Sequence, residues 1–320
     1  MKKFMKVCAV IVAVIFCLGI ILLTAGGCGG GLKSIPGMIR RGEFNFGPED
    51  WGFHWDEDFK WDTDLNQNWE YDLDMESLFD NEFEIIKDED SYSKSFLAEE
   101  IHNLKLELGG CEVKVAVSPD EDYHIAAEKI NSFQTYVKGD TLYVKGVKNG
   151  NWINNAVMSV EILIPEGAVF ENAELSLGAG DFSVDVLKAQ SIELEVGAGR
   201  LEIVQLQTTE MGCQLGAGQI IVKEGGIMGN ASFETGAGEL IYSGSISGDM
   251  TAECAMGNTE FYITGSTEED HNYDLECMAG NLTAGSRSYA GLAVDSYIDN
   301  GAASEYDLSC AMGNLTVTFQ

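Results

Sequence analysis

The most restrictive feature of this sequence is a short segment containing Gly-Ala-Gly that recurs at a nearly constant spacing. Complete copies occupy residues 175–184, 194–203, 213–222 and 233–242, so successive copies are 19, 19 and 20 residues apart. Shorter or altered copies lie at 106–115, 255–258, 278–281 and 311–314. A fixed period of this size is typical of a solenoid, in which each repeat buries its apolar residues by stacking on its neighbours.

Within one repeat, apolar residues alternate with polar residues on both sides of the glycines. Leu175 and Leu177 precede the glycines, and Phe182 and Val184 follow them. This period of two indicates half-buried strands. Because Leu177 and Phe182 are five residues apart, one uninterrupted strand would place them on opposite faces. The Gly-Ala-Gly segment is therefore predicted to be a corner, for which glycine is suited because it reaches positive φ without steric cost.

In the later copies the first corner glycine is lost, and an asparagine follows the one that is retained. Asparagine is enriched in left-handed conformations, so Asn258, Asn281 and Asn314 are expected to keep the corner. The predicted corner glycines are Gly178, Gly180, Gly197, Gly199, Gly216, Gly218, Gly236, Gly238, Gly257, Gly280 and Gly313.

These features predict an all-β protein in which residues 96–320 form a single-stranded parallel β-solenoid with coils of 19–20 residues. The content of 37 glycines against four prolines fits a fold with many turns. Strand-like runs at 136–144 and 157–164 are predicted to form wider coils or side hairpins. The stretches 264–273 and 286–304 are predicted to be loops off the stack.

The chain has 52 acidic and 19 basic residues, a net charge of −33. A charge of this size repels phosphate backbones, so nucleic acid is excluded as a partner. It also repels anionic lipid headgroups, so any attachment to a membrane must come from a specific segment.

That segment lies at the start of the sequence. Three lysines within the first six residues precede an uncharged run at 7–32. Its length favours an uncleaved helix, which needs about 17–25 apolar residues, over a cleaved signal of about 7–15. We predict a transmembrane anchor at 1–32, with lipidation at Cys28 as the alternative. Because basic flanks stay cytoplasmic, the predicted location is the cell membrane, single-pass, with the C-terminal domain extracytoplasmic.

Residues 33–95 differ in composition from the segments on either side. Four of the five tryptophans lie here, interleaved with acids such as Asp56 and Glu57. Because the acids repel one another and no regular period is sustained, the stretch is predicted to be a largely disordered linker that carries the domain away from the membrane. Docking of its aromatic residues on a basic or apolar partner is the alternative.

Three cysteines, Cys254, Cys277 and Cys310, occupy the inward position that Leu177 holds in the first complete copy. They are predicted to form a ladder of buried thiols in the core. A disulfide stays possible in an exported chain, although stacked parallel positions rarely offer good geometry for one. Zinc is disfavoured because there is no Cys-x-x-Cys pair and no histidine beside these cysteines. No cofactor is expected.

Acidic residues recur at two outward positions of the repeat, four and six residues before the retained glycine. The first set is Glu195, Glu234, Glu253 and Glu276, and the second is Glu174, Glu193, Asp274 and Asp307. Stacking would bring these like charges to about 5 Å from one another, which is destabilising unless a cation intervenes. A solvated acidic face is the expected arrangement, and no metal site is predicted; calcium bound by Glu234, Glu253 and Glu276 is the alternative.

The repeated Leu-x-x-Gly-Ala-Gly-x-Leu coils, the strand at 159–167 and the anchor with its acidic stalk resemble the bacterial "putative adhesin" family, long known only as a domain of unknown function. The resemblance covers roughly residues 100–320. It implies a β-solenoid on the cell envelope and no established enzyme activity.

We therefore expect a non-catalytic binding, adhesion or envelope-scaffold module at the cell surface, whose partner is an unknown glycan, wall polymer or protein. A carbohydrate-active β-helix enzyme, a polysaccharide lyase or hydrolase, is the first alternative. Such an enzyme needs two carboxylates at a defined separation, and here carboxylates are too abundant for a pair to be chosen. Lyase chemistry usually also needs a basic residue, and the solenoid has only Arg200 and Arg287 as arginines. The second alternative is an envelope-stress accessory protein that acts through partners.

Overall fold

The computed structural model describes residues 78–148, 157–290 and 293–320. The predicted anchor at 1–32, the lipidation candidate Cys28 and most of the predicted linker lie outside these residues. In the part of the chain that is described, no helix has the length and apolar character needed to cross a lipid bilayer. Two single-turn 3₁₀ helices, at Ala98–Glu100 and Glu268–Asp270, interrupt what is otherwise strand and turn.

The described residues form 23 strands. The first eight are β1 (Ile86–Lys87), β2 (Ser91–Phe96), β3 (Asn103–Gly109), β4 (Cys111–Val117), β5 (Tyr123–Glu128), β6 (Ser132–Lys138), β7 (Thr141–Val147) and β8 (Met158–Ile164). The next nine are β9 (Phe170–Leu177), β10 (Gly180–Val196), β11 (Arg200–Thr208), β12 (Glu210–Leu215), β13 (Gln219–Ile227), β14 (Ala231–Thr235), β15 (Glu239–Ile246), β16 (Met250–Cys254) and β17 (Asn258–Ile263). The last six are β18 (His271–Cys277), β19 (Asn281–Ala284), β20 (Arg287–Ala290), β21 (Val294–Ile298), β22 (Ser304–Cys310) and β23 (Asn314–Phe319).

The strands form two sheets that are joined through the long strand β10. Sheet 1 has the order β1-β6-β7-β3-β9-β10-β12-β14-β16-β22-β18-β21. Sheet 2 has the order β2-β5-β8-β4-β10-β11-β13-β15-β17-β23-β19-β20. The first half of β10 belongs to sheet 2 and the second half to sheet 1.

The middle of the molecule is a parallel solenoid, as predicted. Phe182 pairs with Leu201, Leu201 with Ile220, and Ile220 with Leu240, which are offsets of 19, 19 and 20 residues. Each coil passes once through sheet 1 and once through sheet 2. The repeat spacing in the sequence therefore equals the register of the sheets.

At the N-terminal end the order of strands departs from the order in the sequence. The coil of β3 and β4 stacks directly on β9 and β10, and the chain between them forms β5–β8 further out. In this outer layer β7 and β8 are parallel to β3 and β4, whereas β5 and β6 are antiparallel to their neighbours. The side hairpin predicted at 136–144 is thus present as β6 and β7.

The other end departs from sequence order as well. The 304–319 coil, made of β22 and β23, lies between the coil of β16 and β17 and the coil of β18 and β19. The predictions of loops at 264–273 and 286–304 are wrong in part. β18 begins at His271, and β20 and β21 pair antiparallel to β19 and β18 as the outermost strands.

The inward side chains of both sheets form one hydrophobic core. In β9, Leu175 and Leu177 are buried while Ser176 between them is exposed, and this alternation runs through the coils. One fully buried apolar side chain contributes about 1.5–3 kcal/mol, which cannot offset the ordering entropy of a whole coil. The coils are therefore stable only as a stack. β1 and β2 add to it from before residue 96, where the sequence predicted linker.

Candidate functional site

The Gly-Ala-Gly segments are corners between the two sheets, as predicted. In the first complete copy, β9 ends in sheet 1 at Leu177 and β10 begins in sheet 2 at Gly180. Leu177 and Phe182 are both buried, with 3% exposure each, so the corner turns both side chains into the same core.

The reason for glycine at the corners differs from the one predicted. Of the eleven predicted corner glycines, all of which the structure describes, only Gly180 has a positive φ, at +132°. At most of the others the constraint is close approach between coils, whereas at Gly178 the atom nearest to an added Cβ would be 3.4 Å away, an ordinary contact. A Cβ on Gly218 would lie 2.0 Å from the carbonyl oxygen of Gly199 in the preceding coil, which is far inside van der Waals contact.

Close approach also explains why the second glycine is the one retained in the three later copies, at 255–258, 278–281 and 311–314. A Cβ on Gly216 would lie 2.7 Å from the carbonyl oxygen of Gly197, compared with 2.0 Å for Gly218. Where the first glycine has been replaced, the retained glycine still meets a carbonyl oxygen of the adjacent coil at 2.3–2.4 Å; these are Gly257, Gly280 and Gly313. The second position is thus the tighter one.

The asparagines after the retained glycine do not adopt left-handed conformations, which corrects the prediction. None of Asn258, Asn281 and Asn314 has a positive φ. They begin β17, β19 and β23, and in the stack Asn314 lies between Asn258 and Asn281. The Asn281 side-chain amide donates to Asn314 Oδ1 at 2.8 Å.

The stacked corners form the floor of an open groove with a volume of about 800 Å³, here called the corner groove. Its floor consists of backbone and of exposed methyl groups such as those of Ala217 and Ala237. The N–H of Ala217 donates to Gly197 O and that of Ala237 to Gly216 O, both at 2.8 Å, so these amides hold the floor together.

A row of polar side chains in register follows one edge of the corner groove. The row consists of Asp181, Arg200, Gln219, Glu239, Asn258 and Asn314. Gln219 donates a hydrogen bond to Glu239, and Arg200 Nη2 donates to Glu202 Oε2 at 2.8 Å. Five steps of about 4.8 Å give the row a length of about 24 Å. The groove can therefore offer donors and acceptors along an extended molecule.

The predicted thiol ladder is buried, but its order differs from the sequence. Cys254, Cys277 and Cys310 are 1–2% exposed and all three thiols are free. Cys310 pairs with Cys254 on one side and with Cys277 on the other, because the 304–319 coil is inserted there. Each thiol donates to the carbonyl oxygen of the glycine three residues later, at 3.2–3.3 Å.

Register also breaks up the predicted acidic rows on the outer face of sheet 1. Glu234 pairs with Glu253, but Ser309 separates Glu253 from Glu276. In the second row Asp307 pairs with Asp274, and burial together with the charge of Asp274 raises the pKa of Asp307. Three in-register acidic pairs, Glu174 with Glu193, Glu234 with Glu253 and Asp307 with Asp274, thus stand in place of continuous rows.

Within residues 78–148, 157–290 and 293–320, no group of three or more histidine, cysteine, aspartate or glutamate side chains is arranged to hold a metal ion. The structure therefore adds no observation in favour of the calcium alternative at Glu234, Glu253 and Glu276.

A feature that the sequence did not indicate is the packing of residues 78–83 against the outer face of sheet 1. Gln134, which is fully buried, donates to Asp80 O at 2.7 Å and Phe83 O at 3.0 Å and accepts from the N–H of Asp80. Phe83 stacks on Tyr136 with ring centroids 4.0 Å apart. Nothing in the sequence indicated that Gln134 holds residues 78–83, because a polar residue is ordinary at that position of an alternating strand.

A second such feature is His271 at the other end. Its ring stacks on Tyr306 with centroids 4.0 Å apart, and its two nitrogens lie 2.7 Å from Ser304 Oγ and 2.9 Å from Ser266 Oγ. Burial lowers the pKa of His271, with the charge of Asp270 opposing the shift.

The sequence of residues 101–284 matches the Toastrack DUF4097 family, which is more than half of the chain. The chain belongs to this family. The match confirms the resemblance drawn from the repeats. The Toastrack region begins just before β3 and ends with β19, so it leaves out the 304–319 coil that lies inside the same stack.

Several solved structures are similar to this Toastrack chain over their whole length. A putative cell adhesion protein from Clostridium sporogenes has 14% identity and a TM-score of 0.34, with 72% of this chain and 99% of that chain covered. A putative adhesin from Bacteroides fragilis has 13% identity and a TM-score of 0.38, with 72% and 99% covered. A putative lipid binding protein from Parabacteroides distasonis has 13% identity and a TM-score of 0.40, with 73% and 98% covered. No curated protein matches the sequence.

Proposed function

We propose that the protein is a non-catalytic adhesion or binding module of the cell surface that holds an extended glycan or wall polymer in the corner groove. The observation that carries this proposal is the in-register polar row beside a floor of backbone and methyl groups, repeated over six coils. A ligand with a repeating unit can make the same contacts with coil after coil.

The groove has the two components that binding of a polymer requires. Its floor is flat because the close contact between coils leaves no room for a side chain at Gly218 or Gly238. Its edge mixes acidic, basic and amide side chains, which fix orientation through a small number of polar contacts. Extended surfaces of this kind are what stacked repeats use for recognition.

The proposal includes attachment to the membrane, with the 19–20-residue coils of a single-stranded solenoid outside the cytoplasm. Its support is the uncharged run at 7–32 behind three lysines, followed by the acidic, aromatic segment that would serve as a stalk. The groove would then face the wall or the surroundings of the cell.

The test compares the parent chain, purified in detergent, with two tryptophan variants on arrays of glycans and wall polymers. Ala217→Trp fills the floor of the corner groove, and Ser232→Trp places the same side chain on the exposed outer face of sheet 1 as the control. We expect saturable binding by the parent and the control, and binding at least about tenfold weaker for Ala217→Trp, equal to about 1.4 kcal/mol.

Two outcomes would contradict the proposal. Equal binding by both tryptophan variants would remove the groove from the mechanism. No binding of the parent to any glycan or polymer would favour an envelope scaffold whose partners are proteins of the same cell.

A further inference from the structure

The strongest unassigned feature is the column of thiols in sheet 1. Cys254, Cys310 and Cys277 are three consecutive rungs of this column. Earlier coils fill the same column with aliphatic side chains up to Leu215, and Thr235 then precedes Cys254. The change from aliphatic to thiol side chains coincides with the place where the 304–319 coil is inserted.

The spacing of parallel strands limits which of these thiols can be joined. Paired residues on adjacent strands have Cα atoms about 4.8 Å apart, which lies inside the range of about 4.4–6.8 Å found for disulfides. Cys310 is therefore within bridging distance of both neighbours. Cys254 and Cys277 are two rungs, or about 9.6 Å, apart, which exceeds the limit of about 7 Å.

We propose that Cys310 is a disulfide site that closes with Cys254 or with Cys277, one at a time, and so fastens the inserted coil to an adjacent one. Closing the bridge removes two thiol protons and two electrons and forms one S–S bond. The electron acceptor is a small-molecule or protein disulfide, whose own S–S bond is reduced to two thiols. Such oxidants persist outside the cytoplasm, where the proposed function places this domain.

The surroundings favour Cys254 as the attacking thiol. The contact between the two thiols lowers the pKa of Cys254, while the same contact and burial raise the pKa of Cys310. The Cys254 thiolate would attack the oxidant to form a mixed disulfide, and Cys310 would then displace the reduced half. The hydroxyl of Thr235, buried next to Cys254 on the adjacent strand, has no hydrogen-bond partner of its own.

Access to the site depends on the inserted coil, because all three thiols are buried. An oxidant of ordinary size reaches them while residues 304–319 are out of the stack, either during folding or when this coil opens. Once closed, the bridge covalently retains the coil between its neighbours.

The test oxidises the full chain and maps its disulfides. The reduced protein in detergent is incubated with oxidised glutathione at 25 °C and just below its unfolding transition. Free thiols are then blocked with N-ethylmaleimide, and the unreduced protein is digested with trypsin. There is no lysine or arginine between 224 and 286 or after 287, so Cys254 and Cys277 share the peptide 224–287 while Cys310 lies in 288–320.

We expect these two peptides to be recovered as one linked species, and the buried Cys213 in peptide 201–223 to stay unlinked. Cys254→Ser and Cys277→Ser should each keep the link through the remaining pair, whereas Cys310→Ser should abolish it. Glu260 lies between Cys254 and Cys277, so a second digestion after glutamate identifies the bridge in the parent even where a variant fails to fold.

Separate peptides in the parent at both temperatures would overturn the proposal, provided that the same reagent links them in denaturant. A bridge between Cys254 and Cys277 in Cys310→Ser, or a link that forms as readily with Cys213, would overturn it too, because the bridge would then not depend on the column. These results do not depend on ligand binding, so they are distinguishable from failure of the proposed function.

Discussion

The ring of Tyr242 occupies the space above Gly225 that any side chain on residue 225 would need. A Cβ on Gly225 would lie 2.4 Å from the hydroxyl oxygen and two ring carbons of Tyr242. Tyr242 is fully buried, and its hydroxyl donates to Ser245 O at 2.9 Å. The register between β13 and β15 shifts between Val222 and Gly225, so the irregular pairing and the missing side chain together make room for a tyrosine in the core.

Gly225→Ala is therefore expected to destabilise the protein by about 1–3 kcal/mol, the usual cost of overpacking a core. Thermal unfolding followed by circular dichroism measures the effect. The adjacent Gly226→Ala is the matched control, because its Cβ would meet nothing closer than 3.8 Å. Equal melting temperatures for the two variants would show that Tyr242 can move aside.

The corner glycines give a second pair of variants with opposite expectations. Gly218→Ala puts a Cβ 2.0 Å from a carbonyl oxygen, whereas in Gly178→Ala the nearest atom is 3.4 Å away. Since the backbone of the preceding coil must shift to admit a methyl group on residue 218, we expect a loss of about 1–3 kcal/mol for Gly218→Ala and little change for Gly178→Ala. Denaturant unfolding of both variants checks this, and the reverse order would contradict the close-approach explanation.

Gln134 is expected to hold residues 78–83 on sheet 1. Gln134→Leu leaves the N–H of Asp80 and the carbonyl oxygen of Phe83 without their partner, and the carbonyl oxygen of Asp80 with only the Phe83 N–H, at a cost of about 1–3 kcal/mol. Hydrogen exchange at Asp80 and Phe83 should accelerate. Lys138→Met removes the surface contacts of this lysine with Asp80, Glu82 and the Phe83 ring but keeps the Gln134 hydrogen bonds, so it should cost about 1 kcal/mol or less and change exchange far less than Gln134→Leu.

His271 should make stability depend on pH. Burial lowers its pKa from 6.5, so the folded state favours the neutral ring. Its contribution is complete above the unfolded pKa and is lost as the pH falls through 6.5 towards the lower folded value. The melting temperature of the parent should therefore fall further between about pH 7.5 and about pH 5 than that of His271→Gln. Equal falls would show that carboxylates, common to both proteins, cause the whole pH dependence.

Calcium is expected to act on the parent and on the triple variant Glu234→Gln, Glu253→Gln, Glu276→Gln to the same extent. Ser309 separates two of these carboxylates in the sheet, so they do not form one oxygen cage. Melting temperatures with calcium and with chelator measure the effect. A calcium-dependent rise confined to the parent would support the calcium alternative instead.

The central coils could be predicted from the sequence because the patterns that specify them lie within one repeat or between successive repeats. The spacing of the Gly-Ala-Gly copies equals the sheet register, and the parity of Leu177 and Phe182 correctly required a corner. The role of the corner glycines was misjudged because the clash that enforces Gly218 comes from Gly199, in another coil. A property set by the neighbouring coil has no signature within one repeat.

The spatial order of the coils could not be predicted from the sequence, because the repeats at 250–263, 271–284 and 304–319 are similar enough to stack in any order. Placement of Cys310 between Cys254 and Cys277 depends on how the whole stack closes. The same insertion places Ser309 between Glu253 and Glu276. Rows of side chains across a solenoid therefore follow the spatial order of its coils.

The insertion of the 304–319 coil also has a consequence for biogenesis. A ribosome or export channel delivers residues 271–284 before residues 304–319, yet the earlier coil lies further out in the stack. The 271–284 coil cannot take its final place until the 304–319 coil has emerged and packed between it and the coil of β16 and β17. In a nascent chain that pauses before residue 304, β16 and β17 would be open strand edges. A chaperone or a second nascent copy could pair with these edges.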